Sequence, residues 1–174
     1  MKLLYALQYY DILVFRRFIN MCLHKPFYIL CRLVSRSADG YLYVLAAVAS
    51  ALNGGVGNPF FQATLVAFAI ERPLYFALKN GLKRNRPQET LDGISSFIVP
   101  SDQFSFPSGH TSAAFMMATL VSEFWPGFAL PLYAWAGCVG CSRVLLGVHF
   151  PSDTLIGAAM GVLMAYASLG VVGL

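Results

Sequence analysis

The chain alternates long apolar runs with short polar or turn-forming segments. Five runs are each close to the roughly 17 to 25 residues that a membrane-spanning helix needs, and they cover residues 40–56, 59–80, 107–124, 127–146 and 152–174. The longest polar connection between them is 81–106. We therefore predict an all-α, polytopic bundle of transmembrane helices with five spans.

The first 39 residues have a different pattern. Apolar side chains recur there at steps of three and four residues, which is typical of an amphipathic helix. Charged and polar residues such as Asp11, Arg16 and Arg17 interrupt the pattern. We predict an N-terminal interfacial helix within 1–39, with a sixth span as the alternative, followed by a transmembrane domain at 40–174. We expect no cleaved signal peptide, because no small-residue cleavage site follows an uninterrupted apolar stretch.

Composition agrees with a membrane location. Hydrophobic residues make up 57% of the 174 residues and charged residues only 11%, and the mean hydropathy is +0.63. These values lie outside ordinary soluble usage. Because an unpaired charge is costly in a membrane, the charged residues in or beside the apolar runs are candidates for function.

Three short polar motifs stand at the ends of the apolar runs. They are Lys79 with Arg86-Pro87, Pro107-Ser108-Gly109-His110, and Ser142-Arg143 with His149 and Asp153. If consecutive spans cross the membrane in alternate directions, all three motifs meet on the same face. The sequence therefore predicts one site built from two histidines, a carboxylate and several cations.

These residue types suit the handling of phosphate. Arginine and lysine bind phosphate oxygens, and a helix that begins at Ser108 and Gly109 offers free N–H groups to an anion. His110 would stand beside that anion and could donate a proton to a leaving oxygen. Asp153 lies four residues after His149, so its carboxylate could hold one ring nitrogen protonated while the other attacks phosphorus.

Other charged residues receive a structural interpretation, with a substrate role as the alternative for Glu71 and Arg72. Glu71 and Arg72 are adjacent, and adjacent helical side chains point about 100° apart. We therefore predict that they do not pair with each other but find partners on neighbouring helices or in a hydrated cavity. Lys83 and Arg84 are interpreted as cations that meet lipid headgroups, and His24 as interfacial or structural.

Small residues within the runs are interpreted as packing positions. Cys138 and Cys141 are predicted to pack between helices. Gly157 and Gly161 form a small-xxx-small pattern, which favours close packing on a neighbouring helix or on another subunit.

In its motifs the chain resembles the type 2 phosphatidic acid phosphatase superfamily, the lipid phosphate phosphatases that are related to vanadium-dependent haloperoxidases. The pattern Lys-x6-Arg-Pro occurs at 79–87, Pro-Ser-Gly-His at 107–110 and Ser-Arg-x5-His-x3-Asp at 142–153. All three patterns are complete and in order, whereas 1–39 carries no motif. The resemblance implies that 40–174 is a catalytic domain that hydrolyses lipid phosphates.

By this resemblance three residues are expected to be catalytic. His149 is similar to a nucleophile that forms a phosphohistidine intermediate, Asp153 to the residue that orients it, and His110 to the general acid that protonates the leaving alkoxide. The groups expected to bind the phosphate oxygens are Lys79, Arg86, Ser108, Gly109, Ser142 and Arg143. No metal and no cofactor are implied, and the sequence lacks the clustered carboxylates and spare histidines of a two-metal phosphatase.

The expected substrate is a phosphate carried by a lipid from the bilayer. Phosphatidic acid, phosphatidylglycerol phosphate and undecaprenyl pyrophosphate are the candidates, and the sequence does not choose among them. Three other functions are considered. A lipid phosphotransferase would use the same histidine intermediate, and the motifs do not exclude it. A vanadate haloperoxidase is expected to be soluble, and a non-catalytic membrane scaffold would have no reason to keep all three motifs at their spacing. We expect the membrane as a partner and no nucleic acid, and leave a homo-oligomer open.

Charge and resemblance disagree about the membrane face of the site. Apart from Arg72, the basic residues lie on the motif face or in the N-terminal segment, and the positive-inside rule would then put the site in the cytoplasm. Many bacterial members of the resembling family present it to the periplasm instead. We expect a bacterial inner-membrane protein whose site faces the periplasm.

Overall fold

Helices form the regular structure in the part of the chain that can be described. A computed structural model of the protein describes residues 2–19, 25–100 and 102–174, with side chains from residue 8 onward. Its α-helices, in chain order, are α1 (Lys2–Ile19), α2 (Lys25–Arg36), α3 (Tyr41–Gly54), α4 (Pro59–Leu82), α5 (Pro87–Thr90), α6 (Gly109–Phe124), α7 (Ala129–Leu145) and α8 (Pro151–Val172). The prediction of an all-α fold is confirmed, while His24 lies outside the described residues.

Fewer helices qualify as membrane spans than the apolar runs predict. Among the described residues, two stretches are long and apolar enough by length and composition, Pro126–Leu145 and Pro151–Val172. Helices α3, of 14 residues, and α6, of 16 residues, reach only about 21 and 24 Å at 1.5 Å per residue, against a hydrocarbon core of roughly 30 Å. Helix α4 is longer but carries charged side chains. The prediction of five spans is therefore not confirmed.

Helix α6 lies at the centre of the bundle, where it contacts α4, α7 and α8. Two glycines let α8 approach it closely. A Cβ atom added at Gly157 would lie 2.6 Å from the carbonyl oxygen of Ser108, and one at Gly161 would collide with the carbonyl oxygen of Ser112. The small-xxx-small pattern thus packs on a helix of the same chain, and it brings the start of α6 beside the start of α8.

The N-terminal helices pack on this bundle. Helix α1 contacts α7 and α8, and α2 contacts α7. Phe15 of α1 is fully buried, and its ring centroid lies 5.7 Å from that of Phe150. Burying a phenylalanine side chain stabilises a fold by about 1.5–3 kcal/mol, so α1 is fixed against the connection that precedes α8.

Two packing predictions are wrong. Cys138 and Cys141 are exposed, because Val139 and Gly140 take the inward face of α7. Glu71 and Arg72 do pair with each other, at 2.5 Å between Glu71 Oε2 and Arg72 Nε and 2.8 Å between Glu71 Oε1 and Arg72 Nη2.

Glu71 and Arg72 can pair because both side chains are long. The Cβ atoms of adjacent helical residues point about 100° apart. The side chains of glutamate and arginine are long, so their charged ends can still meet. A neighbouring helix also contributes, as predicted, because the hydroxyl of Ser112 on α6 donates to Glu71 Oε1 at 2.7 Å. The fully buried glutamate therefore joins α4 to α6.

Candidate active site

The three sequence motifs meet around one cavity of about 1000 Å³. The cavity is lined by five of the predicted site residues, Arg86, Gly109, His110, Arg143 and His149. The other four are buried but do not line it, namely Lys79, Ser108, Ser142 and Asp153. The ends of α4 and α7 and the starts of α6 and α8 thus come together, which is the arrangement that alternating spans predict.

His149 lies in the connection between α7 and α8, just before the first turn of α8. Its side chain is 3% exposed, and Nδ1 lies 3.8 Å from Asp153 Oδ2. This distance is too long for a hydrogen bond, and Nδ1 is a buried atom without a hydrogen-bond partner among the described residues. Because Nδ1 faces Asp153, the opposite ring nitrogen, Nε2, is the one available to a substrate in the cavity.

The electrostatic surroundings keep the His149 ring neutral. Burial lowers its pKa to about 4, the nearby Asp153 carboxylate opposes this shift, and the charge of Arg143 adds to it. A neutral imidazole keeps a lone pair on one nitrogen. At pH 7 the side chain is therefore in the protonation state that a nucleophile needs.

Asp153 has both carboxylate oxygens engaged. Oδ2 accepts the N–H of Phe150 at 2.8 Å, and Oδ1 forms an ion pair with Arg84 at 2.6 Å. The interpretation of Arg84 as a headgroup-facing cation is wrong, because its side chain is only 17% exposed. Neighbouring Lys83 is exposed, and its interpretation stays a prediction.

Lys79 and Arg86 share a carboxylate that the sequence motifs do not include. Asp102 Oδ1 lies 2.7 Å from Lys79 Nζ and 2.5 Å from Arg86 Nη2, and the hydroxyl of Tyr75 donates to Oδ2 at 2.6 Å. Burial alone would raise the pKa of Asp102, but these hydrogen bonds and the two positive charges lower it to about 2. Asp102 is therefore ionised and balances part of the positive charge at the cavity.

Arg143, in the last turn of α7, is a buried cation beside the cavity. It is 4% exposed, and its Nη1 donates to the hydroxyl of Ser35 at 2.7 Å. Its Nε is buried without a hydrogen-bond partner, and no carboxylate in the described ranges forms an ion pair with it. A buried charge without a counterion is costly, so Arg143 is a strong candidate for binding an anion.

His110 stands in the first turn of α6 and has a carboxylate partner from the connection between α2 and α3. Its Nε2 lies 2.9 Å from Asp39 Oδ1. Burial and the charge of Arg143 lower the pKa of His110, and the Asp39 carboxylate opposes this shift. The pair places an imidazole at the cavity wall, where Asp39 can stabilise the proton that a general acid donates.

The two serines of the motifs have local partners. The hydroxyl of Ser108 shares a hydrogen bond of 2.9 Å with that of Thr111, and its N–H donates to the carbonyl of Asp153 at 3.0 Å. The hydroxyl of Ser142 donates to the carbonyl of Val139 at 2.7 Å. Ser108 therefore connects the start of α6 directly to the start of α8.

Sequence reasoning missed Asp39, Asp102 and the role of Arg84. Charge balance could have indicated these residues. The lysine and arginine side chains of the site are buried in a chain with few charges, so carboxylates are needed near them. No three His, Cys, Asp or Glu side chains gather in a metal-binding group within the described ranges. Independence from metal stays a prediction.

Comparison with known proteins identifies the family. A family model described as the PAP2 superfamily matches residues 59–173. The chain belongs to this superfamily, and the resemblance found in the three motifs is confirmed.

Individual relatives agree in fold and in sequence. Phosphatidylglycerophosphatase B of Bacillus subtilis is 33% identical over 134 residues, which cover 67% of this chain and 63% of that relative, so the chain spans less than two thirds of its length. The crystal structure of Aquifex aeolicus LpxE has a TM-score of 0.79 at 25% identity and covers 91% of this chain and 94% of its own. A transmembrane PAP2-type phosphatidylglycerolphosphate phosphatase from Bacillus subtilis shares the fold, with a TM-score of 0.75 at 24% identity over 95% of this chain and 86% of its own.

Proposed function

We propose that the protein is a membrane lipid phosphate phosphatase that transfers the phosphoryl group of its substrate to His149 and then to water. One observation carries the proposal: the buried Arg143, a cation without a carboxylate partner among the described residues, lines the same cavity as the neutral imidazole of His149. An anion that bound Arg143 would lie beside a nucleophile. Membership of the PAP2 superfamily supports the same chemistry.

The first step breaks the bond between phosphorus and the lipid oxygen. Nε2 of His149 attacks phosphorus, the lipid alkoxide leaves with its electron pair, and His110 gives it a proton. Asp153 faces Nδ1 of the nucleophile at 3.8 Å and stabilises the positive charge that develops on the ring.

The second step regenerates the enzyme. Water attacks the phosphohistidine, His110 accepts a proton from that water, and inorganic phosphate leaves. In both steps the charges of Lys79, Arg86 and Arg143 stabilise the negative charge on the phosphoryl oxygens, together with the N–H group of Gly109. The Ser108 N–H and the Ser142 hydroxyl bind carbonyl oxygens of the protein, so these two residues support the site by holding the helix ends in place.

The substrate class follows from the surroundings of the cavity. Aromatic side chains such as Phe68, Phe76 and Phe97 line it together with the cations, which suits a phosphate attached to an apolar chain. Phosphatidylglycerol phosphate is the first candidate, since a relative is named a phosphatidylglycerophosphatase. Phosphatidic acid and undecaprenyl pyrophosphate are the others.

The experiment is phosphate release by the full chain in detergent, in the presence of EDTA, from each of the three lipids. We expect release from at least one lipid, and none from His149→Ala that exceeds the lipid-only blank. Cys138→Ser serves as the matched control, because that side chain is exposed on α7. Equal release by His149→Ala, or loss of release in EDTA, would contradict the proposal.

The location proposed for this enzyme is the bacterial inner membrane, with the cavity facing the periplasm. A test is Lys83→Cys in a background without native cysteines. Position 83 is exposed near the cavity end of α4, so a maleimide that cannot cross membranes should label it in intact spheroplasts. Labelling only after lysis would place the site in the cytoplasm.

A further inference from the structure

Arg84 is held between two buried carboxylates at the start of α8. Its Nη1 donates to Asp153 Oδ1 at 2.6 Å and to the hydroxyl of Ser152 at 2.7 Å. Its Nη2 donates to Asp11 Oδ2 at 2.6 Å and to Gln8 Oε1 at 3.0 Å. The guanidinium also lies over the ring of Phe150, at 4.5 Å from the centroid. Four hydrogen bonds and a stacked ring leave the side chain with one defined position.

Asp11 brings α1 into this arrangement. It is 5% exposed, and besides Arg84 it accepts the N–H of Ser152 at 2.9 Å. Ser152 is in the first turn of α8, where free N–H groups favour a negative charge. Asp11 therefore fixes Arg84 from one side and the start of α8 from the other. It lies outside residues 59–173, which match the family model.

Arg84 balances the charge of Asp153 and fixes the orientation of its carboxylate. Asp153 is fully buried, and within the described ranges Arg84 is the lysine or arginine that forms an ion pair with it, whereas the neutral ring of His149 faces it at 3.8 Å. With Oδ1 bound to Arg84 and Oδ2 bound to the Phe150 N–H, the carboxylate cannot rotate without losing a hydrogen bond. Oδ2 is thereby kept facing His149 Nδ1.

We propose that Arg84, held in place by Asp11, is a positioning residue for the His149 nucleophile and acts on it through Asp153. This inference rests on the proposed function. Neither Arg84 nor Asp11 lines the cavity, so they influence the reaction and not the binding of substrate. Through Asp11, helix α1 then contributes to the alignment of the nucleophile.

The test compares Arg84→Gln with Lys83→Gln, which removes the same charge from the exposed neighbouring position. We expect Arg84→Gln to lower kcat about tenfold or more, as is usual for outer partners that orient a functional histidine, with KM within about twofold of the original. Lys83→Gln should keep both constants. Arg84→Gln with the kcat of Lys83→Gln would overturn the inference.

Two double variants distinguish a positioning role of Arg84 from a merely structural one. In a background of Asp153→Asn, adding Arg84→Gln should change the residual kcat by less than about twofold, because residues that act through one another are not additive. Arg84→Gln leaves Asp11 and Asp153 without their arginine. Adding Asp11→Asn removes one of these two charges, so it should recover part of the melting temperature but not kcat. Full additivity in the first pair, or recovery of kcat together with stability in the second, would overturn the positioning role.

The outcomes also distinguish this inference from the proposed function. Absence of phosphate release by the unsubstituted chain would refute the proposed function, and this inference with it. Release by the unsubstituted chain and by Arg84→Gln at the same rate would refute the positioning role alone.

Discussion

Gly157 is the position where a single methyl group should misalign the two halves of the site. In Gly157→Ala the new Cβ would lie 2.6 Å from the Ser108 carbonyl oxygen, where ordinary contact begins at 3.4 Å. The start of α6 would therefore have to retreat by about 0.8 Å, the difference between these two distances. The start of α6 carries His110, whereas the start of α8 follows His149, so the distance between acid and nucleophile changes by up to this amount.

The expected effect is large because positioning is demanding. A misplacement of about 1 Å can cost on the order of a hundredfold in rate, so we expect kcat to fall between about tenfold and a hundredfold. The overpacked interface should also lower the unfolding free energy by about 1–3 kcal/mol. The assay is phosphate release at saturating lipid, with thermal unfolding measured on the same preparation.

Gly170→Ala is the matched control on the same helix. An added Cβ there has no atom within 4 Å, and alanine is favoured over glycine inside a helix by about 0.5–1 kcal/mol. The control should keep its kcat and melt at the same temperature or higher. If Gly157→Ala matched Gly170→Ala in both measurements, the close approach of α6 and α8 would not be what aligns the site.

Three further predictions concern the groups around the cavity. Asp39→Asn should slow release from an alkyl lipid phosphate by about tenfold but leave p-nitrophenyl phosphate nearly unaffected, because a good leaving group needs little help from His110; equal slowing of both would refute an acid role for the pair. Arg143→Lys should raise KM and lower kcat together, since lysine cannot reproduce the guanidinium fork, and unchanged constants would count against anion binding there. Protonation of His149, whose pKa burial lowers to about 4, should make kcat/KM fall as the pH drops through about 4. Since the folded-state pKa lies below the ordinary 6.5, unfolding takes up a proton between these values. The unfolding free energy should therefore decrease on acidification from about pH 6.5 to 4, and His149→Gln should flatten that slope; the same slope in both proteins would contradict the buried neutral imidazole.

The motif residues could be placed from the sequence because their helices alternate in direction. Cavity-lining Arg86, His110 and His149 come from three motifs that are far apart in the chain, and the order of apolar runs was enough to predict their convergence. The ends of the helices were less predictable. Helix α3 ends at Gly54, before the last residue of its apolar run, because hydropathy does not distinguish a helical residue from an apolar residue in a turn.

The carboxylates of the site could not be predicted from local pattern. Asp102 lies in an irregular connecting segment and Asp39 in the turn after α2, so neither has a helical or strand periodicity that would indicate a partner. Arg84 is one of several basic residues near the end of α4, and its ion pairs with Asp11 of α1 and Asp153 of α8 distinguish it from Lys83. Such pairings depend on the packed bundle and not on neighbouring sequence.

The central claim is that His149 accepts the phosphoryl group, and trapping of the phosphoenzyme tests it most directly. The full chain would be mixed in EDTA with lipid substrate that carries a radioactive phosphate, quenched with alkali, and digested for mass spectrometry. We expect label that is stable in alkali and lost in acid, as for a phosphohistidine, on the peptide that contains His149. The label should be absent in His149→Ala and should persist longer in His110→Ala, where water attack lacks its base. Phosphate release by a chain that never carries label on His149, with the label on another residue or with none, would contradict the account.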